Sequence, residues 1–128
     1  MNKEQRAEQI WPILTHCALQ RQTLSYELLG RLIGVPRMGL GQLLEPIQSY
    51  CILNQLPPLS VLVVSENTGL PGEGFIGAKD VPSAQARVFG RSWLEQTPPD
   101  AAALQQAVQE LPSNGRSLEE LIADANRG

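Results

Sequence analysis

A glycine and a proline two residues apart, Gly34 and Pro36, cut one helical apolar pattern into two pieces, and this constrains the fold more than any other feature of the chain. On the first side, Ser25 offers a side-chain oxygen of the kind that caps a helix. Leu28, Leu29, Leu32 and Ile33 then recur at helical spacing over Tyr26–Ile33, which predicts an inward stripe. Gly34 stands where a left-handed residue ends a helix. After Val35-Pro36-Arg37 another helix is predicted to begin near Met38, with Leu40, Leu43, Leu44 and Ile47 facing the first. Two short helices joined by so tight a turn predict a helix-turn-helix. The second of them is expected to stop at Glu45-Pro46, because proline lacks an N–H and favours the first position of a new helix, here 46–54.

The flanking segments extend this unit. Residues 3–20 place Ile10, Ile13, Leu14, Cys17 and Ala18 on a helical face beside Trp11, and Pro12 predicts a kink there or a later helix start. Leu56-Pro57-Pro58-Leu59 closes the helical unit, and the β-branched run Val61-Leu62-Val63-Val64 predicts a strand over 60–64. A turn at 65–69 and a return arm around 70–76 would make a hairpin over 60–77, a wing. Asp80 opens a predicted helix to about Trp93, with Ala86, Val88, Phe89 and Trp93 available to pack. Asp100 caps another through Leu111, presenting Leu104, Val108 and Leu111. Ser117 and Glu120 form a capping-box pattern for a last helix over 118–126. The expected fold is mainly α (α+β): a winged helix-turn-helix with a short β hairpin and additional C-terminal helices. Its winged-helix core is expected over 1–93, with an acidic helical extension over 94–128 packed on the same domain.

A chain of 128 residues suits one domain, and a hydrophobic fraction of 42% suffices for a core without staples. The polar start Met1-Asn2-Lys3-Glu4-Gln5-Arg6 has no apolar run behind it, and the longest apolar stretch is far too short to span a bilayer. A cytoplasmic protein with no membrane partner is expected. Cys17 and Cys51 sit within apolar patterns, without metal-site spacing, and read as buried free thiols. His16 adjoins Cys17, but neighbouring helical positions do not face each other, so the two make no catalytic pair. No nucleophile with a base, no metal set and no cofactor motif stands out, so a non-enzymatic protein is expected, with no catalytic residues, no metal and no cofactor.

The net charge of −3 argues against a dedicated nucleic-acid binder, although its distribution is uneven. Glu95, Asp100, Glu110, Glu119, Glu120 and Asp124 oppose only Arg116 and Arg127 in the last third, whereas the rest is nearly neutral. The stretch Tyr26-Glu27-Leu28-Leu29-Gly30-Arg31-Leu32-Ile33-Gly34, with Val63-Val64 and the glycines Gly69 and Gly72 downstream, resembles the winged-helix domain of the alkylguanine-DNA alkyltransferases and alkyltransferase-like proteins. The resemblance covers about residues 23–75. It implies a winged-helix fold and DNA binding, with Tyr26 at the target phosphate. Where that family carries its reactive Pro-Cys-His-Arg, this chain has Leu59-Ser60-Val61-Leu62, so transfer of an alkyl group to a thiolate is excluded there. In the slot of the family's base-flipping arginine stands Met38, with Arg37 one residue early.

Two functions follow. The first is a regulatory or accessory winged-helix protein that binds double-stranded DNA, using Tyr26, Arg31, Arg37 and Gln42 against phosphates and groove. Too few cations surround the second helix for tight nonspecific affinity, and Glu45 opposes it. The alternative is a winged helix that binds or neutralises another protein through the wing, where Gly69-Leu70-Pro71-Gly72-Glu73-Gly74-Phe75 would present Glu73 and Phe75 at the tip. The oligomeric state is left open by the residues.

Overall fold

The computed structural model describes residues 1–71 and 81–111. Within them are five α-helices and a small parallel sheet of two strands, so the protein is mainly helical.

Helix α1 (Lys3–Leu19) begins on a capping box: the Asn2 side chain accepts from the Gln5 N–H at 2.8 Å, and Gln5 Oε1 accepts from the Asn2 N–H at 2.9 Å. It starts well before Pro12 and runs past it, so proline is not its boundary. The carbonyl deprived of its helical bond belongs to Glu8, an exposed residue where water can serve it. Buried Ala7, Ile10, Trp11 and Leu14 on both sides of the proline lie in the same core and hold the helix in register.

Strand β1 (Leu24–Ser25) leads directly into α2 (Tyr26–Ile33). Ser25 Oγ accepts from the Leu28 N–H at 3.1 Å, and Gly34 closes the helix in the left-handed region at φ 73. Of the apolar stripe, Leu29 is buried and Ile33 half-buried, whereas Leu28 and Leu32 are exposed. The inward stripe is therefore rotated from its predicted position. The buried arc of α2 includes Gly30, which carries no side chain and lets the following turn approach closely.

A 3-10 turn at Arg37–Gly39 leads into α3 (Leu40–Leu53). The predicted break at Glu45-Pro46 does not occur, and α3 is one helix through Pro46. Pro46 is itself buried, and Leu43, Leu44, Ile47 and Cys51 on either side of it pack into one core. The carbonyl it orphans is that of exposed Gln42.

Helices α1 and α3 end alike. In α1 the Gln22 N–H donates to Cys17 O at 2.9 Å and the Arg21 N–H to Ala18 O at 3.1 Å; in α3 the Leu56 N–H donates to Cys51 O at 2.8 Å and the Gln55 N–H to Ile52 O at 3.2 Å. Both are Schellman terminations. Arg21 and Gln55 hold the left-handed position, at φ 55 and 56, where glycine is usual.

The sheet differs from the predicted hairpin. Residues 59–62 form a 3-10 turn, leaving β2 as Val63–Val64, and β2 pairs in parallel with β1 in the register Leu24↔Val63 and Ser25↔Val64. The helices α2 and α3 supply the crossover that parallel pairing requires. A return arm is present as far as Pro71, which makes one antiparallel bridge to Val64, while the Ser65 N–H donates to Leu70 O at 2.9 Å. The rest of the predicted wing, and the predicted helix over 118–126, lie outside the described residues.

Helix α4 (Val81–Gly90) is shorter than predicted, and a 3-10 turn at Trp93–Glu95 follows it. It buries Ala84 and Val88, while Ala86 is exposed. Helix α5 (Ala101–Glu110) is capped by Asp100, and its first N–H donates to Glu8 Oε2 at 3.1 Å. Packed on α1 and α3, α5 places Leu104 in the common core, and Ser49 of α3 donates to Leu111 O at 2.8 Å. At the centre, Trp11 meets Tyr50 and Trp93 edge-on at 5.5 and 5.8 Å, and Trp93 Nε1 donates to Val88 O at 2.8 Å.

Candidate functional site

The predicted DNA-binding residues fall on the α2–turn–α3 unit, but only some of them meet. Tyr26 begins α2, half-buried against the core. Arg37 opens the 3-10 turn, and its guanidinium lies over the Tyr26 ring at 5.6 Å. The same guanidinium is engaged by an acid of α2: Arg37 Nε donates to Glu27 Oε1 at 2.7 Å. Arg31 is exposed on α2 and lines, with Glu27, Gly30, Pro36 and Arg37, an open groove of about 480 Å³. Gln42 is exposed in the first turn of α3, outside that groove. Glu73 and Phe75, predicted at the wing tip, lie outside the described residues.

Little of α3 is open to a ligand. Its residues Leu40, Leu43, Leu44, Ile47, Gln48, Ser49 and Cys51 are buried, leaving Gly41 and Gln42 exposed in its first turn. The half-buried Glu45 is paired with Lys3 at 3.3 Å. Arg6 is also committed, its Nη1 donating at 2.7 Å to the carbonyl of Ile33 at the end of α2. Charges that look free in sequence are thus engaged in holding helix ends and the turn.

Sequence reasoning missed two features here. Glu27 was not singled out, although it determines what Arg37 can do. The helical spacing assigns Leu28 and Leu32 to the core, yet Leu28 is 44% exposed and Leu32 57%, and Met38 in the turn is 95% exposed. A signal for the second was present in Gly30: glycine costs a helix interior about 1 kcal/mol relative to alanine, so its presence points to a close approach on its own face. That approach is real, with the Val35 carbonyl oxygen 2.6 Å from where a Gly30 Cβ would stand. The core side of α2 therefore centres near Gly30, and Leu28 and Leu32 turn outward.

The thiols are chemically quiet. Cys51 is fully buried, and burial pushes its pKa up to about 12, against smaller opposing effects of a hydrogen bond with the Leu59 backbone and of Arg91. Burial also raises the pKa of Cys17. Ser60, in the segment aligned with the alkyltransferase reactive site, is buried, and its hydroxyl has no hydrogen-bond partner among the described residues. Among those residues no group of His, Cys, Asp and Glu side chains is placed to hold a metal ion, and no helix is long and apolar enough to cross a membrane.

The class defined by this geometry is a mainly helical domain with a small two-stranded parallel sheet. No protein-family model, curated protein or solved structure matches the chain.

Proposed function

We propose that the α2–turn–α3 unit is the helix-turn-helix of a winged-helix domain that works as a non-catalytic protein-interaction module. One observation carries the reading: the outward surface of this unit is apolar at Leu28, Leu32 and Met38, while Arg37, the cation best placed for a phosphate, is held by Glu27. Affinity for a duplex grows with each phosphate neutralised, so an engaged guanidinium and an α3 largely absorbed in the core favour a protein partner over DNA. Large exposed aliphatic side chains on a helix are suited to an apolar contact that excludes water.

The competing outcome is DNA binding through Tyr26, Arg31, Arg37 and Gln42. Fluorescence anisotropy with mixed-sequence duplex at two salt concentrations separates the two. Wild type and Arg37→Ala are expected to bind equally weakly. A steep salt dependence that falls by about one phosphate contact in Arg37→Ala would overturn the protein-binding reading. In parallel, a photo-cross-linking residue at Met38 is expected to join to protein in cells, in a way that Leu28→Asp abolishes with the circular dichroism spectrum unchanged. A cross-link to nucleic acid would overturn the reading.

A further inference from the structure

The open groove of about 480 Å³ gathers most of the charge of the α2–turn–α3 unit. Of the charged side chains between Tyr26 and Leu53, Glu27, Arg31 and Arg37 all line it, and only Glu45 does not. One side of the groove is a single face of α2 and its cap, where Glu27, Gly30, Arg31 and Gly34 succeed one another at the three- and four-residue steps that stack positions along a helix. The other side is the turn over 35–37, which approaches α2 closely at Gly30. Neither glycine contributes a side chain, and nothing lies within 4 Å of the Cβ position at Gly34, so the C-terminal end of that face is open.

The two cations are held differently. Only the Nε of Arg37 is engaged by Glu27, at 2.7 Å, while the guanidinium lies over the Tyr26 ring; its two terminal amino groups make no hydrogen bond or ion pair among the described residues. An arginine fixed in this way has already lost side-chain freedom on folding and keeps the outer donors of its planar fork. Arg31 is exposed and makes no hydrogen bond or ion pair among the described residues. Two guanidinium groups against one carboxylate leave the groove a single positive charge. One further carboxylate matches that charge, and a guanidinium can grip it with two parallel N–H bonds. A phosphate monoester, with about two negative charges at neutral pH, would overshoot it.

We infer, on the reading of this unit as a protein-interaction module, that the groove is a carboxylate-binding site and that the partner is an acidic segment of another protein. A glutamate or aspartate of that segment engages Arg31 and the free donors of Arg37, with Glu27 still in place on Nε. Leu28 and Leu32 follow Glu27 and Arg31 by one position each, about 100° round the helix, so an apolar side chain next to the acid in the partner meets exposed leucine.

Fluorescence anisotropy on the full chain with three labelled peptides tests this: a run of glutamates flanked by leucines, and the same peptide with glutamine or with lysine in place of glutamate. Wild type is expected to bind the glutamate peptide about tenfold more tightly than the glutamine peptide at low salt, the gain of one charge-assisted pair, and the advantage should shrink as salt rises. Arg31→Ala should erase most of that preference with an unchanged circular dichroism spectrum. Arg31→Glu should turn the preference toward the lysine peptide, a reversal that a merely destabilised variant would not give. Equal binding of the glutamate and glutamine peptides by wild type, no binding of the glutamate peptide, or a preference unmoved by both Arg31 variants would each overturn the inference. The functional reading is tested separately: equal peptide binding with protein cross-links from Met38 removes the acidic partner and leaves the interaction module intact, whereas Arg37-dependent duplex binding removes that module whatever the peptides show.

Discussion

Replacing Gly30 by alanine should destabilise this protein, although the same change in an ordinary helix interior stabilises by about 1 kcal/mol. The Cβ would stand 2.6 Å from the Val35 carbonyl oxygen, where ordinary contact begins at 3.4 Å. The two atoms must therefore part by about 0.8 Å. Neither is free to move, because the Val35 N–H donates to Gly30 O at 2.9 Å and Leu40, just past the turn, is fully buried. Opening the turn forfeits that hydrogen bond, about 1 kcal/mol net, and loosens Leu40, at a further cost of roughly 2 kcal/mol. Set against the propensity gain, the net loss is about 2 kcal/mol, or roughly 7 °C in melting temperature for a chain of this size. Gly41→Ala is the internal control, since nothing lies within 4 Å of its Cβ position. That variant should gain up to about 1 kcal/mol. Urea denaturation of both, with unchanged m-values, measures the pair. A Gly30→Ala protein as stable as wild type would refute the close approach of the turn to α2.

Arg21 and Gln55 occupy left-handed backbone at φ 55 and 56, so Arg21→Gly and Gln55→Gly should each stabilise by roughly 0.5–1 kcal/mol, and a loss in either denaturation curve would contradict the termination described. Ser60→Ala removes a buried hydroxyl that has no partner among the described residues, and should leave stability unchanged or raise it by up to about 1 kcal/mol; a loss beyond that would show a hydrogen bond unaccounted for. Cys51 should react with a thiol reagent no faster than the protein unfolds, and incubation with alkylated-guanine DNA should leave the lesion intact, with no alkyl group on either cysteine. Its pKa is raised from 9.0 in the unfolded chain to about 12 when folded. The contribution of the protonated thiol is therefore fully present below pH 9.0 and declines as pH rises toward about 12, by up to about 1.4 kcal/mol per pH unit. Comparing denaturation of wild type and Cys51→Ala from neutral to alkaline pH isolates this slope, and parallel profiles would refute it.

The parts of the fold that were legible in sequence are those fixed by a local hydrogen bond or a single backbone angle. Ser25, Gly34 and Asp100 each do one thing within four residues of themselves, and α2 and α5 begin or end where they stand. Pro46 does not break α3 and Pro12 does not mark the start of α1, because proline's cost is local while the compensation is not. Each forfeits one backbone bond at an exposed carbonyl, and core contacts contributed by other helices hold the axis together. The pairing of β2 was illegible for a related reason. A two-residue strand carries almost no periodic signal, and its partner β1 lies far back in the chain, before α2 and α3.

The candidate site shows the same limit in its charges. Arg37 and Glu27 are ten positions apart and meet only because Gly30 allows the turn to fold back across α2, so the ion pair is a consequence of packing that no charge count contains. A cation counted from sequence as available to phosphate is, in the folded protein, paired across the turn with an acid on α2. The leucines reverse in the complementary sense, counted as core and found outside. Both reversals follow from the orientation of one eight-residue helix, set by where its glycine faces. The choice between DNA and protein as the partner therefore turns on a rotation of α2. If Gly30→Ala loosens that orientation while the chain stays folded, the Arg37–Glu27 pair should loosen with it, and any phosphate affinity the unit possesses should rise in that variant above wild type.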